Sequence, residues 1–305
     1  PHATPAAGYT LRTGIRSLVV GRGGQLELNG QTVRFRGVAI HEDTLARGSA
    51  MTNADRARLM RLVRESGSTL VRAHYPLHPH LHELADRMGI LIWSEIPSTY
   101  QLKDHEVGRR PFRTLALQEL REDVLAHRNH PSVAVWSLGN EMPSAPGRNQ
   151  AWYLRAGAAL VRSLDPTRPV GLAFAGHPET PCQAAYAPLD VLGMNDYFGW
   201  YTGYAGNIAD RDNLPAYLDQ LRACYPRKAI AVTEFGAEAN RSGPVEEKGT
   251  YEFQVEFVRH HLDVYATKPW LSGSVYWTLQ EFRIRDGWAG GNPWSEPPIH
   301  QKGLV

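Results

Sequence analysis

Cysteine and long apolar runs are both scarce in this sequence. Only two cysteines, Cys182 and Cys224, occur in 305 residues. Two cysteines exclude the disulfide framework that holds small secreted domains together, and we expect each to be an isolated thiol, buried or half-exposed. No stretch approaches the roughly 18 consecutive apolar residues of a membrane-spanning helix. The fold should therefore depend on a hydrophobic core, and we expect no membrane partner.

An excess of charge of either sign is also missing. The chain has 33 Lys and Arg against 31 Asp and Glu, a formal net charge of +2. Nothing in that balance predicts a nucleic acid as partner. The sequence shows no signal peptide and no initiator methionine, and it stops abruptly at Lys302-Gly303-Leu304-Val305. These ends suggest a piece of a longer protein, and they leave the compartment undetermined, with the cytoplasm favoured.

Apolar runs alternate with helical patterns along most of the chain, which is typical of βα units around a parallel sheet. One α/β barrel of roughly 250 residues would nearly fill the length available. We therefore predict a (β/α)₈ TIM barrel over residues 18–305, entered through a β-hairpin at residues 18–28. Residues 1–17 are rich in Pro, Ala and Gly and should be a linker or the remnant of a preceding domain. The predicted strands cover residues 33–40, 69–74, 90–94, 133–138, 170–175, 191–194, 229–233 and 272–278. The predicted helices cover residues 53–66, 81–88, 112–127, 152–164, 214–223 and 251–265.

Two glutamates follow two of these strands in the same way. Asn140 and Glu141 come directly after the apolar run that begins at Val133, and Glu234 ends the run that begins at Ala229. Parallel barrels place their chemistry at the carboxyl ends of the strands, and strands four and seven lie across the mouth from each other. The two carboxylates can therefore converge. Converging carboxylates are what glycoside hydrolysis needs, because one protonates the leaving oxygen and the other attacks the anomeric carbon.

An ordered set of short segments strengthens that interpretation. Ser137-Leu-Gly-Asn-Glu141 and Thr233-Glu-Phe-Gly236 resemble the acid/base and nucleophile strands of glycoside hydrolase family 2, in clan A. The other segments resemble its β-glucuronidase branch, in the right order and spacing from about residue 13 to the end. They are His41-Glu-Asp43, His74-Tyr-Pro76, Asn195-Asp-Tyr-Phe-Gly-Trp-Tyr201, Val275-Tyr-Trp277 and Lys302-Gly303.

The resemblance implies roles for single residues. Glu141 matches the general acid/base, Glu234 the nucleophile and Asn140 the residue that grips the sugar 2-hydroxyl. Tyr197 matches a tyrosine that donates a hydrogen bond to the nucleophile and aims it. The residues matching the subsite that holds the sugar are His41, Asp43, His74, Tyr201 and Trp277. The resemblance also implies that no cofactor is needed, that homo-oligomers occur, and that N-terminal sandwich and immunoglobulin-like domains are missing from this chain.

Two departures from the family pattern concern specificity and the nucleophile. β-Glucuronidases grip the substrate carboxylate with an Asn-x-Lys motif, whereas this chain reads His300-Gln301-Lys302, which keeps only the lysine. The family more often has two residues between the arginine and histidine of strand two, and this chain has one between Arg72 and His74. Either a bulge has been lost or Arg72 is not equivalent to the family's arginine. We keep Arg72 as a site residue that should bind Glu234.

The resulting hypothesis is a retaining exo-β-glycosidase acting on a β-glycoside substrate, with β-glucuronidase as the first choice. β-Galactosidase is the alternative within the family, and a sugar-binding barrel without turnover is the alternative outside it. The histidines between residues 74 and 82 do not have metal-ligand spacing, and Pro76 and Pro79 interrupt them, so we predict no metal site. Glu95, at the end of strand three, should form a structural salt bridge.

Overall fold

Eight parallel strands close into a barrel. In the computed structural model the described residues are 12–97, 102–176, 182–202, 208–285, 287, 291–296 and 298–305. Each strand pairs with its sequence neighbours, and the last pairs with the first, so the predicted (β/α)₈ TIM barrel is confirmed. The strands are β1 (Phe35–Ala39), β2 (Leu70–Arg72), β3 (Leu91–Glu95), β4 (Val133–Ser137), β5 (Val170–Ala175), β6 (Val191–Asn195), β7 (Ala229–Phe235) and β8 (Gly273–Tyr276).

The helices pack around the outside of this barrel. All six predicted helices are present, with boundaries that differ by at most four residues. They are α1 (Asn53–Glu65), α2 (Pro79–Met88), α3 (Arg110–His127), α4 (Arg148–Leu164), α5 (Leu214–Cys224) and α6 (Tyr251–Ala266), and a short helix spans Asp104–Val107. Within the described ranges, no helix has the length and apolar character needed to cross a bilayer.

A β-hairpin closes the amino-terminal end of the barrel. Leu18–Val20 pairs antiparallel with Leu26–Leu28, as predicted. Leu18 and Leu26 are buried in a cluster with Phe35 and with the first residues of β6 and β7. Burying these side chains is favourable by about 25 cal/mol per Å² of apolar surface. The closed apolar end leaves the polar strand ends at the opposite, carboxyl-terminal mouth.

The two cysteines correct one prediction. Cys182 and Cys224 are joined by a disulfide, although we expected isolated thiols. Cys224 is the last residue of α5, and Cys182 lies 42 residues earlier, just after β5 and its loop. The number of cysteines carries no information on which ones meet. The end of α5 packs beside the segment that precedes β6, and this brings the two cysteines together. The fold thus has one covalent cross-link among its described residues.

Candidate active site

Glu234 lies at the mouth, near the carboxyl end of β7. Only 4% of the residue is exposed. The pairing register of β7 shifts between Val232 and Glu234 on the β6 side and between Val232 and Phe235 on the β8 side. Such a bulge can redirect a side chain. The backbone that follows the bulge is bonded on both of its edges. Asp196 N donates to Glu234 O at 2.6 Å, and Trp277 N donates to Phe235 O at 2.8 Å.

Arg72 connects the nucleophile candidate to two other strands. Its Nη1 donates to Glu234 Oε1 at 2.8 Å, and its Nη2 donates to Asn140 Oδ1 at 2.7 Å and to Glu95 Oε1 at 2.9 Å. Burial alone would lower the pKa of Arg72, but ion pairs with Glu95 and Glu234 outweigh it and the pKa lies above its usual range. The guanidinium is therefore a permanent cation beneath the mouth. The expected contact of Arg72 with Glu234 is present despite the altered spacing.

Glu95 and His74 complete the ionic layer around Arg72. Glu95 is fully buried, and His74 Nδ1 lies 3.0 Å from its Oε1. Burial would raise the pKa of Glu95, and the charge of Arg72 lowers it below its ordinary value. The salt-bridged role predicted for Glu95 is confirmed. His74 also places Nε2 at 3.6 Å from Glu234 Oε1. Arg72 and His74 are two residues apart in an extended segment, so both side chains lie on the same face.

Tyr197 supplies the second donor to Glu234. Its hydroxyl donates to Glu234 Oε2 at 2.7 Å, so each carboxylate oxygen accepts from a different side chain. Burial first, and then the charge of Glu234, raise the pKa of Tyr197 well above its ordinary value. The phenol therefore keeps its proton and remains a donor. These two donors fix the direction in which the carboxylate points.

Asn140 and Glu141 follow β4 on the other side of the mouth. Asn140 Oδ1 accepts from Arg72 and from Asn195 Nδ2 at 3.0 Å. With the oxygen occupied, the amide hydrogens of Asn140 have no partner among the described residues and are available to a ligand. Asn195 Nδ2 also lies 3.4 Å from Glu141 Oε1. A continuous set of hydrogen bonds thus joins Glu234, through Arg72, Asn140 and Asn195, to Glu141.

The backbone of Glu141 is strained. Its φ of 47° lies in the left-handed region. Among the described residues other than glycine, Asn29 is the only other one with a positive φ. A non-glycine residue there costs on the order of 1–3 kcal/mol and recurs at functional sites. The residue is half-buried, whereas its neighbour Asn140 is buried. The strained turn lifts the Glu141 side chain out of the strand direction and into the mouth.

Aromatic rings form one wall of the mouth. Trp277 stacks on His74 with 4.5 Å between ring centroids, and His41 meets the Trp277 ring edge-on at 5.4 Å. Trp277 Nε1 lies 3.4 Å from His300 Nε2, and Phe282 stacks on the His300 ring at 4.7 Å. Burial lowers the pKa of His41 to about 3 and that of His300 to about 2. Both imidazoles are therefore neutral near pH 7.

Lys302 lies fully buried, with its ammonium against the rings of Tyr197 and Tyr201. Its Nζ is 4.0 Å from the ring centroid of Tyr197 and donates to the Tyr201 hydroxyl at 3.1 Å. Burial lowers the pKa of Lys302 to about 8, and the charges of Glu238, Glu234 and Glu141 oppose that shift. No other acceptor for this ammonium occurs among the described residues. Two of its three hydrogens therefore have no hydrogen-bond partner within the described part of the chain.

The structure brings most of the predicted site residues together. Arg72, Asn140, Tyr197 and Glu234 are directly hydrogen-bonded, and His41, His74, Trp277 and His300 share one aromatic cluster. Asp43 is the exception, because its contact is with the loop after β8, where Oδ2 accepts from Arg283 N at 3.0 Å. Its contacts do not reach either glutamate. Asp43 orders the rim of the mouth.

Two residues that the sequence interpretation did not assign also belong to the site. Asn195 connects Asn140 to Glu141, and Thr233 Oγ1 donates to Asn195 Oδ1 at 2.8 Å. Glu238 is buried near Lys302. Asn195 ends β6, and Asn140 similarly follows the end of β4. An asparagine at the end of a second strand was the signal that could have identified Asn195 from sequence. No group of three or more His, Cys, Asp or Glu in the described ranges could hold a metal ion.

Known proteins are similar to this chain in sequence and in fold. A β-glucuronidase of Paenibacillus borealis is 30% identical over 293 residues, 92% of this chain and 48% of that protein. A β-glucuronidase of Bacteroides fragilis is 28% identical over 292 residues, 91% of this chain and 40% of that protein. A crystal structure of a β-galacturonidase from Eisenbergiella tayi, bound to galacturonate, superimposes with a TM-score of 0.84 and 26% identity. It covers 96% of this chain and 51% of that one.

These matches also show how much of the length of each relative the chain covers. It spans between 40% and 48% of the length of these two curated relatives. Residues 19–285 match the family model described as "Glycosyl hydrolases family 2, TIM barrel domain". That match covers most of the chain, including both glutamates and the strands that carry them. The chain therefore belongs to glycosyl hydrolase family 2, as the TIM barrel domain of that family.

Proposed function

We propose that this chain is the catalytic barrel of a retaining exo-β-glycosidase that removes a terminal β-linked uronic acid, with β-glucuronides as its preferred substrates. The observation that carries the proposal is the position of Lys302. Its buried ammonium lies against Tyr197, which itself binds Glu234, and two of its hydrogens have no acceptor among the described residues. A buried cation calls for a compensating anion. A sugar carboxylate in the mouth supplies one.

The proposed reaction is a double displacement. In the first step Glu234 attacks the anomeric carbon, the bond from that carbon to the aglycone oxygen breaks, and Glu141 gives its proton to the departing oxygen. The product is a glycosyl ester of Glu234. In the second step Glu141 takes a proton from water, the water oxygen bonds to the anomeric carbon, and the ester bond to Glu234 breaks. The configuration of the sugar is retained after two inversions.

The other residues of the mouth act on the position of the sugar. Arg72 and Tyr197 hold one oxygen of Glu234 each, which leaves the carboxylate fixed for attack. Asn140 offers its amide hydrogens to the sugar 2-hydroxyl, and such a contact strengthens as charge develops on the ring. The Trp277 ring provides an apolar surface for the sugar face. None of these steps needs a cofactor.

The relatives support an acidic sugar over a neutral one. The curated relatives described above are named β-glucuronidases, and the superimposed barrel is titled a β-galacturonidase bound to galacturonate. Glucuronate and galacturonate both carry a carboxylate at C5 and differ at C4. Lys302 fits the group that they share. His300 is neutral and adds no second cation, so the interaction with the acidic group depends on the lysine.

A panel of 4-nitrophenyl glycosides tests the proposal. We expect turnover of the β-D-glucuronide, less of the β-D-galacturonide and least of the β-D-galactoside. Turnover of the galactoside without either uronide would establish the β-galactosidase alternative. No turnover at all, together with measurable binding of glucuronate, would establish a sugar-binding barrel.

Azide rescue tests the two carboxylates separately. Glu234→Ala should lose turnover, and azide should restore it by forming an α-glycosyl azide on the face that Glu234 occupied. Glu141→Ala with azide should give the β-glycosyl azide. Glu65→Ala, on the exposed surface of α1, is the matched control and should behave as the unmutated chain. An α-azide from Glu141→Ala would reverse the two assignments.

A further inference from the structure

Asp196 is a buried carboxylate that the proposed reaction does not use. It follows Asn195, the last residue of β6, and is fully buried. The next residue in the chain is Tyr197, whose hydroxyl donates to Glu234. A buried carboxylate needs hydrogen-bond donors in place of the water that it has lost. The donors around Asp196 therefore determine what this side chain can do.

One donor closes a turn over Tyr197. The backbone N–H of Phe198 donates to Asp196 Oδ1 at 3.1 Å, which is the contact of an Asx-turn. The backbone N–H of Asp196 itself donates to Glu234 O at 2.6 Å. Asp196 is thus bonded to the residue that follows Tyr197 and to the residue that the Tyr197 hydroxyl binds. It contacts the backbone at both ends of the hydrogen bond between Tyr197 and Glu234.

The other donor comes from a helix outside the barrel. Tyr265, near the end of α6, is buried, and its hydroxyl donates to Asp196 Oδ2 at 2.6 Å. Burial first, and then the charge of Asp196, raise the pKa of Tyr265 well above its ordinary value. The phenol therefore keeps its proton and remains a donor. The Tyr265 ring also meets Phe235 edge-on, with 5.3 Å between ring centroids, directly after the nucleophile.

Three buried side chains of α6 recur every four residues, at Phe257, His261 and Tyr265. Residues at this spacing lie on one face of a helix. His261 Nδ1 lies 2.8 Å from Phe257 O, and a carbonyl only accepts, so Nδ1 carries the proton. His261 Nε2 lies 3.7 Å from Asp196 Oδ1 and has no hydrogen-bond partner among the described residues. Within the described part of the chain, Tyr265 is thus the side chain that donates a hydrogen bond to Asp196.

We propose that Asp196 and Tyr265 are positioning residues that hold the Tyr197 hydroxyl on Glu234. The inference rests on the proposed function and adds two residues that are buried behind the mouth and act on the nucleophile through Tyr197. Without the Tyr265 hydroxyl, the Asp196 side chain no longer has the contact that fixes the turn over Tyr197. Hydrolysis should then slow, while the affinity for the sugar stays the same.

The test is a double-mutant cycle, measured as kcat for 4-nitrophenyl β-D-glucuronide. Tyr265→Phe keeps the ring against Phe235 and removes the donor to Asp196. It should lower kcat by about threefold to tenfold and leave KM unchanged, because it can remove no more than the Tyr197 hydroxyl contributes. In a chain that already has Tyr197→Phe, the same substitution should have no further effect on kcat, since coupled residues are not additive.

An equal fold-loss in the two backgrounds would overturn the inference, because Tyr265 would then act independently of Tyr197. An unchanged kcat in Tyr265→Phe, or a loss that appears only in KM, would overturn it as well. Tyr225→Phe is the matched control. It removes another buried tyrosine hydroxyl, which is bonded to the backbone of Gln183, and it should lower the melting temperature without changing kcat in either background.

Substitutions of Asp196 separate its hydrogen bonds from its charge. Asp196→Asn keeps a side-chain oxygen for the Phe198 N–H and offers an amide N–H to the Tyr265 oxygen, whereas Asp196→Ala loses both contacts. We expect kcat to fall in Asp196→Ala and to be mostly recovered in Asp196→Asn. An equally low kcat in both would overturn the inference, because the charge and not the turn would then matter. If Tyr265→Phe gives no cooperative thermal transition, Asp196→Ala takes its place in the cycle.

A measurement without turnover separates this inference from the function on which it rests. Inactivity of the unmutated chain on every glycoside of the panel, with no binding of glucuronate, would overturn the proposed function. The position of Tyr197 can still be determined from crystals of Tyr265→Phe. A hydroxyl displaced from Glu234 Oε2 would support the inference. The 2.7 Å contact of the unmutated chain, preserved in the variant, would overturn it.

Discussion

Arg72 and Glu234 meet across the barrel, 2.8 Å apart between Nη1 and Oε1 and 162 residues apart in the chain. The same guanidinium binds Asn140 and Glu95. A guanidinium presents five N–H donors in a fixed plane, whereas an ammonium presents three on a compact, rotating head. Arg72 is therefore the group on which the alignment of β2, β3, β4 and β7 at the mouth depends.

Arg72→Lys should reduce kcat without unfolding the protein. The shorter, unforked side chain loses at least one hydrogen bond to a charged group, and each is worth roughly 1.5–3 kcal/mol. If that loss falls on Glu234, kcat should drop by roughly 10- to 100-fold, as stopped assays with the glucuronide would measure. Arg168→Lys, at a half-buried arginine that forms an ion pair with Asp165, should lower stability and leave kcat unchanged. Equal kcat in the two variants would contradict the role given to Arg72.

Tyr197→Phe should also slow turnover. The substitution removes the donor to Glu234 Oε2 and leaves the ring under Lys302. The expected loss is about tenfold or more in kcat, because the lost bond involves a carboxylate. Tyr225→Phe removes a hydroxyl whose hydrogen bonds, among the described residues, are with the backbone N–H and carbonyl of Gln183. This variant should not affect kcat. A change in KM alone for Tyr197→Phe would show that the hydroxyl contacts the sugar instead.

Acid should destabilise the fold through His82. This residue is fully buried, stacks on His127 with 4.0 Å between ring centroids, and has no partner for either ring nitrogen among the described residues. Burial, aided by His127 and His130, lowers its pKa to about 3. The unfolded chain takes up this proton near pH 6.5 and the folded chain does not. The stability contribution is therefore complete above pH 6.5 and is lost as the pH falls towards 3.

His82→Phe tests this loss. For one such group, the free energy of unfolding should fall by about 2 kcal/mol between pH 7.5 and pH 5. Urea titrations at the two pH values should show a difference that is smaller by about this amount in the variant. His105→Gln, an exposed histidine, should keep the full difference. If His82→Phe keeps it as well, proton uptake elsewhere is responsible.

The disulfide should contribute measurably to stability. In the chain-entropy description, closing a loop of 42 residues stabilises the fold by roughly 4 kcal/mol. Replacing Cys182 and Cys224 by serine should lower the melting temperature, and dithiothreitol should lower that of the unmutated chain to a similar value. Mass spectrometry under non-reducing conditions should find the intact chain 2 Da lighter than its reduced form. An unchanged melting temperature after complete reduction would contradict this expectation.

The strands could be predicted because a parallel barrel buries them on both faces. The run Val133–Ser137 is buried at every position, and such runs stand out as uninterrupted apolar segments. The start of one helix was harder to predict. Helix α4 begins at Arg148, four residues before its predicted start, because Asp104 accepts from the backbone of Asn149 and Gln150 at 2.8 and 3.0 Å. That cap comes from a segment more than 40 residues away, which local patterns do not show.

The positions of the two glutamates could be predicted better than their connections. Glu141 and Glu234 were predicted as a pair because both follow buried apolar strands and both lie in segments that resemble the family, whereas Glu95, which also ends a strand, was predicted to form a salt bridge. The bonds that join them required side chains from β2 and β6 to meet, which depends on barrel closure and on the bulge in β7. The pairing of Cys182 with Cys224 was missed because it depends on how the end of α5 packs beside the segment before β6. Sequence identifies polar residues at strand ends, and packing decides which of them touch.

The left-handed backbone conformation of Glu141 lowers the stability of the fold, and the side chain that it positions is the proposed acid/base. Asparagine tolerates this conformation better than glutamate does, so Glu141→Asn should relieve part of the strain even as the proposed acid/base is lost. A selection for resistance to heat alone, with no demand for hydrolysis, should therefore favour replacement of this glutamate. Glutamate at this position therefore costs folding free energy that only a role of its carboxylate, such as the proposed acid/base role, would offset.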